Sequence, residues 1–229
     1  MEGSFGENTP RGVIFDLDGT LIDSLSFFDY FYREIGRRYL GDPAFRPEPA
    51  VELAVRTMAF REAMGLLRAS ASLPCGEEEF LGFSSDVLGH FYLDVAEVKP
   101  GATALLSHLR ARGVPTALAS ATDPRLLRGV LSHHGLLPYF DAVLSCAELG
   151  VGKERPDVYL RAAEALGCAV PEVAVVEDSG TALATAKAAG FLTVGVYDRY
   201  ALDPSRIRAA ADLYVGEGET LSALIPCFS

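Results

Sequence analysis

Short apolar runs separated by helix-length stretches limit what this chain can fold into more than any other feature. Val13–Phe15, Pro115–Ser120, Ala142–Ser145, Val173–Glu177 and Leu192–Val196 read as strands, with Leu213–Val215 a candidate sixth. Between them, residues 101–112, 124–134, 156–167 and 181–189 carry apolar positions at helical spacing. Leu105, Leu106 and Leu109 show it in the first, and Leu126, Leu127, Val130 and Leu131 in the second. Strands alternating with helices predict an α/β fold, a parallel sheet with helices on both faces. Ligands of such sheets bind at the carboxyl ends of the strands. One stretch breaks the rhythm. Residues 24–96 offer no clear strand and read as helices over 24–40, 48–70 and 77–95, separated by Pro43, Pro47, Pro49 and Pro74-Cys-Gly76. The expectation is a small all-α unit at 24–96, inserted after the first strand of a core formed by 1–23 and 97–229. At 229 residues and 49 % hydrophobic, the chain can bury a good core and a smaller accessory unit.

The first strand, Gly12-Val-Ile-Phe15, runs directly into Asp16-Leu-Asp-Gly-Thr20. Leu17 points the other way, so Asp16 and Asp18 share one side of the chain. Two such anions 4 Å apart repel by about 1 kcal/mol in water and about 4 near a protein surface. A hard cation relieves that repulsion, leaving one Asp to attack a phosphorus or carbon centre. A calcium loop starting at Asp16 would need Gly and Glu where the chain has Leu21 and Phe27.

Three further elements follow strands in the same way. Ala117-Leu-Ala-Ser120 ends in a hydroxyl which, with the N–H groups of Ala121 and Thr122, can hold a phosphoryl oxygen. Gly152-Lys-Glu-Arg-Pro156-Asp157 supplies a cation, Lys153, after the third strand. Gly150-Val-Gly-Lys153 is no Walker loop, because Ala147 and Glu154 stand where Gly and Ser or Thr are needed. Val173-Ala-Val-Val-Glu177-Asp178-Ser179 runs a strand into two acids.

Taken in order, these elements resemble the haloacid dehalogenase-like superfamily over nearly the whole chain, most weakly in residues 24–96. The resemblance implies a Rossmann-like core and a helical cap, hinged at Leu21–Ser24 and Glu97–Gly101. It implies Asp16 as nucleophile and Asp18 as acid/base; true dehalogenases carry Tyr at the second position, so this chain falls on the phosphoryl-transfer side. Ser120 and the Ala121 amide would bind the phosphate, and Lys153 would neutralise it and restrain the nucleophile. Magnesium would be held by the Asp16 carboxylate, the Asp18 backbone carbonyl and Asp178, with Glu177 bound directly or through water. Two departures stand out: Glu154 replaces the first Pro of the family's Lys-Pro-x-Pro-Asp segment, and Ala182 replaces a Gly at a helix start.

The implied activity is a magnesium-dependent phosphatase acting on a small phosphomonoester, of sugar phosphate or phosphoglycolate type, through an aspartyl-phosphate. Two alternatives stay open: a β-phosphoglucomutase-like phosphomutase, which Ala119-Ser-Ala-Thr122 resembles, and a catalytically silent binding module on the same fold. The mutases' cap segment has no counterpart in 24–96. A carbon–phosphorus hydrolase needs a cap lysine, and the lysines are Lys99, Lys153 and Lys187. Within 24–96 the cations are Arg33, Arg37, Arg38, Arg46, Arg56, Arg61 and Arg68. Arg56 and Arg61, on the most amphipathic stretch, are first choices for contacts to a substrate's distal oxygens.

The formal net charge of −11 argues against nucleic acid or an anionic membrane surface as partner. Four cysteines without CxxC spacing, and no apolar leader in residues 1–10, point to a cytoplasmic protein with reduced thiols. A monomer or homodimer is expected.

Overall fold

The computed structural model describes residues 2, 3, 5 and 9–228. Its core is a sheet of β1 (Glu2–Gly3), β2 (Gly12–Phe15), β3 (Thr116–Ser120), β4 (Ala142–Ser145), β5 (Val173–Glu177), β6 (Leu192–Val196) and β7 (Leu213–Val215). The strand order is β1-β7-β6-β5-β2-β3-β4. All pairings are parallel except that of β1 with β7. β2 lies between β3 and β5, with Phe15 opposite Leu118 on one side and Val176 on the other. Val13, Ile14 and Phe15 are fully buried, as a strand covered on both faces requires. The six expected strands form. β1 was not expected: two residues carry no periodicity, and their pairing comes from the free edge of β7.

Because the strands are parallel, their carboxyl ends share one edge, where Asp16, Ser120 and Glu177 end or follow β2, β3 and β5. Helices α5 (Ala102–Ala111), α6 (Pro124–His133), α7 (Cys146–Leu149), α8 (Asp157–Leu166), α9 (Gly180–Ala188) and α10 (Pro204–Ala210) complete the core. On one face Val158, Tyr159, Ala162 and Ala163 of α8 pack with Ile14, Ala117 and Val175. Helix α10 escaped periodicity because it has only seven residues. Its start is nonetheless written in the chain: Asp203 caps the Arg206 amide at 3.0 Å and Pro204 occupies the first turn.

The chain divides into two compact units, Met1–Leu25 with Ala96–Ser229, and Ser26–Val95. The second is all helical: α1 (Phe27–Ile35) with a π-turn over Gly36–Leu40, α2 (Pro49–Val55), α3 (Phe60–Ser70), and α4 (Glu77–His90) with a π-turn over Phe91–Val95. Its core is aromatic. Phe27 stacks on Phe31 at 5.2 Å between ring centres and meets Phe91 edge-on at 5.4 Å, and Phe31 reaches Phe80 at 6.2 Å. Burying each such ring contributes about 1.5–3 kcal/mol.

The single helix expected over 48–70 is broken between Val55 and Phe60. Thr57 explains the break. Its hydroxyl donates to the Leu53 and Ala54 carbonyls at 3.2 and 3.1 Å, while its amide turns from Leu53 to Ala54 at 3.0 Å, so the hydroxyl replaces the amide on the Leu53 carbonyl. The Met58 amide still closes on Ala54, and Ala59 then extends before α3 restarts. Arg61 is engaged by Glu78 at 2.8 Å and Glu77 at 3.6 Å, while Arg56 lies 5.5 Å above the Phe28 ring. Among the described residues, no helix is long and apolar enough to cross a membrane and the four cysteines form no disulfide.

Candidate active site

Asp16 is held where β2 ends, its amide donating to the Val176 carbonyl at 3.0 Å. The turn then closes on itself, with the Thr20, Leu21 and Ile22 amides all directed at the Leu17 carbonyl. Gly19 makes this turn possible. It has φ +75°, and a Cβ there would lie 2.3 Å from Asp178 Oδ2. Gly19→Ala therefore combines left-handed strain with a clash against a buried carboxylate, and is expected to cost about 2–4 kcal/mol of stability. Urea unfolding measures it.

The turn and the end of β5 bring three acids together. Asp16, Glu177 and Asp178 are buried, and each offers a carboxylate oxygen within 4.8 Å of the others. Lys153, on the loop between α7 and α8, enters this group: its ammonium bonds Asp16 Oδ1 and lies 2.5 Å from Glu177 Oε1. Glu154, which stands where the family has Pro, turns its carboxylate back onto the Gly152 amide at 3.2 Å. That contact closes the loop without the proline.

Glu177 is saturated. Oε1 accepts from Lys153 and from the Tyr159 hydroxyl at 3.0 Å, and Oε2 accepts the Asp178 and Ser179 amides, both at 3.1 Å. Tyr159 did not stand out in the sequence, where it reads as one more apolar residue of α8. Only the rule that a buried tyrosine hydroxyl needs a partner hinted at a polar contact.

The electrostatics follow from three carboxylates and one ammonium in a buried site. Burial pushes the Asp16 carboxyl up to about 8, Lys153 pulls it down, and Glu177 and Asp18 add to the rise. Burial, then Glu177 and Asp16, holds the Asp178 carboxyl well above its usual range, against Lys153 and Lys99. Burial alone would lower the Lys153 ammonium, but Asp16 and Glu177 override it and raise it. Lys153 is therefore a fixed cation. The arrangement has an excess of negative charge that a divalent cation would balance.

Asp18 points to a different set of partners. Ser24 Oγ donates to its Oδ1 at 2.7 Å and Thr122 Oγ1 to its Oδ2 at 2.6 Å. Ser120 is buried at the end of β3, and its Oγ accepts the Thr122 amide at 3.1 Å. Ser145, at the end of β4, ties the same loop by donating to the Thr122 carbonyl at 2.7 Å. Ser24, the Thr122 hydroxyl and Ser145 were not singled out in the sequence, since single hydroxyls leave no periodic signal.

A family model described as haloacid dehalogenase-like hydrolase matches residues 10–190. The chain is a haloacid dehalogenase-like hydrolase. It is 32 % identical to a phosphoglycolate phosphatase of Rhodospirillum rubrum, over 85 % of this chain and 83 % of that one. It is 30 % identical to a bifunctional riboflavin kinase/FMN phosphatase of Arabidopsis thaliana over 93 % of this chain, but spans only 53 % of that protein's length. A Thermotoga maritima structure provisionally named a β-phosphoglucomutase superposes with a TM-score of 0.78 at 26 % identity, covering 89 % of this chain and 93 % of that one. In this hydrolase Asp16, Asp18, Ser120, Glu177 and Asp178 lie on strand ends or the loops that follow them at the carboxyl edge of the sheet, and Lys153 joins them from the loop after α7.

Proposed function

We propose that this hydrolase is a magnesium-dependent phosphatase of small phosphomonoesters, of sugar phosphate or phosphoglycolate type, working through an aspartyl-phosphate on Asp16. That it is a phosphoric monoester hydrolase accords with its named relatives. The observation that carries the finer reading is the buried group of Asp16, Glu177 and Asp178 with Lys153 inserted among them.

The donor set fits magnesium. The three carboxylates are close, all oxygen and in excess over the single ammonium, which is the chemistry this cation selects. Asp16, Asp178 and the Asp18 carbonyl would hold it, with Glu177 bound directly or through water. Since both Glu177 oxygens already accept two donors each, water mediation disturbs the site least. When bound, the ion would neutralise charge on the phosphoryl oxygens.

The chain's own groups supply the rest. Asp16 attacks phosphorus as the carboxylate, which the Lys153 contact favours against the burial that opposes its charge. Lys153, held by Asp16 and by Glu177, which Tyr159 braces in turn, also faces the charge that builds on the transferring group. Ser120 and the Ala121 amide orient a phosphoryl oxygen. Asp18 gives a proton to the departing alkoxide and later takes one from the water that hydrolyses the aspartyl-phosphate. In this reading, residues 1–23 and 97–229 form the hydrolase core and 24–96 a cap. The named core residues handle only the phosphoryl group, common to every phosphomonoester, so selection among substrates falls to the cap.

The purified chain is expected to hydrolyse 4-nitrophenyl phosphate with magnesium and to favour one member of a panel of phosphoglycolate and sugar phosphates. Absence of turnover on the whole panel would leave the silent-module reading standing. The likeness to a protein named a mutase favours one further arm. With β-glucose 1-phosphate a phosphatase releases inorganic phosphate, whereas a mutase yields the 6-phosphate.

A further inference from the structure

Lys99 is a second lysine in the core at this edge of the sheet, and the chemistry above leaves it unused. The chain has three lysines. Each sits on a carboxylate: Lys153 in the acid group, Lys187 at 2.9 Å from Asp212, and Lys99 at 2.7 Å from Asp198 Oδ2. The Lys187 pair is open to solvent, but the Lys99 and Asp198 side chains are only 13 % and 3 % exposed. Lys99 Nζ also donates to the Tyr197 carbonyl at 3.2 Å, and Asp198 Oδ1 accepts the Tyr200 amide at 2.8 Å. Asp198 lies two residues beyond β6, so the pair sits one strand away from Glu177 and Asp178.

The backbone around Lys99 leads straight to the Asp16–Thr20 turn. The Lys99 amide donates to the Leu21 carbonyl at 2.8 Å and the Asp23 amide to the Glu97 carbonyl at 2.9 Å. Ile22 and Val98 form an antiparallel bridge between them. Residues 97–99 are thus zipped onto 21–23, the segment that leaves the turn. The Gly19 amide in turn donates to the Ile22 carbonyl at 2.9 Å. A buried ion pair gains little net stability, because desolvation offsets its attraction, so stability alone does not account for this one.

We propose that Lys99 is a positioning residue: paired with Asp198, it staples the 21–23 and 97–99 ribbon to the end of β6 and so keeps the Asp16–Thr20 turn in register for phosphoryl transfer. The kinetic half of this inference rests on the phosphatase reading; the structural half does not.

Two variants test it, Lys99→Met, which keeps length without charge, and Asp198→Asn, which keeps shape. Lys99→Met is expected to lower kcat on 4-nitrophenyl phosphate about tenfold or more, with KM changed less than about threefold. Asp198→Asn should fall in the same direction, and the double variant should be no worse than Lys99→Met, since one contact is lost in all three. Hydrogen exchange gives a readout without turnover: the Lys99, Asp23 and Gly19 amides should exchange about tenfold faster in the variants. If Lys99→Met does not fold, Asp198→Asn decides by the same measurements. Unchanged exchange at these amides in a folded variant overturns the staple. Faster exchange with wild-type kcat overturns the positioning role. A wild-type chain that turns over no phosphomonoester sinks the phosphatase reading instead, and exchange still decides the staple.

Discussion

Asp16→Asn is expected to abolish turnover, by about a thousandfold or more, while the chain folds as before. The carboxamide keeps the shape of the side chain but is no nucleophile, so the covalent route is closed at its first step. Folding should be spared because the change removes a buried anion as well as its contact with Lys153. Burial and the repulsion from Glu177 and Asp18 both disfavour a charge at this position, and Lys153 keeps Glu177 as partner. The net effect on stability is expected within about 1 kcal/mol. Single-turnover assays on 4-nitrophenyl phosphate and a thermal melt read the two halves separately. More than a few per cent of wild-type rate in the folded variant would take Asp16 out of the nucleophile role.

Removal of divalent cations is expected to have an effect of comparable size. Dialysis against a chelator should reduce turnover to background, and magnesium or manganese should restore it. Calcium should not, because its 2.3–2.6 Å shell of six to eight oxygens suits a looser site than the 2.0–2.1 Å octahedron of magnesium. Stability gives an independent signal. Three buried carboxylates against one ammonium are relieved by a cation that binds only the folded chain. Magnesium at a hundred times its dissociation constant should add about 2.7 kcal/mol to the unfolding free energy. Full activity in excess chelator, together with an unmoved melt, would remove the metal from this reading.

Much of this arrangement was legible in the chain because parallel strands obey simple rules. Apolar runs of four or five residues alternating with amphipathic helices are the pattern of a parallel sheet covered on both faces. Such a sheet presents all its carboxyl ends on one edge, so the residues following Phe15, Leu118 and Val176 had to be neighbours once those strands paired. Together with the resemblance to the haloacid dehalogenase-like superfamily, this let Asp16, Asp18, Ser120, Glu177 and Asp178 be picked out without coordinates. The helical character of 24–96 was equally plain, whereas the break at Thr57 was not, because a side-chain hydroxyl taking a helix carbonyl competes with the helix by about a kcal/mol and leaves no pattern.

What the amino-acid order determined by itself was the sheet, its functional edge and the kinds of groups gathered there. What only the tertiary structure decided was which group faces which. Glu177 reads from the sequence only as an acid beside Asp178 that would meet the metal directly or through water, and packing turns it inward onto Lys153, Tyr159 and two amides. Asp18 is met by hydroxyls from Ser24 and from Thr122, the latter 104 residues away, and Lys99 meets Asp198 across 99. The physical reason is one of range. Strand and helix periodicity is written in neighbouring residues, whereas a hydrogen bond between distant side chains exists only after the core has brought their backbones together, and nothing local records it.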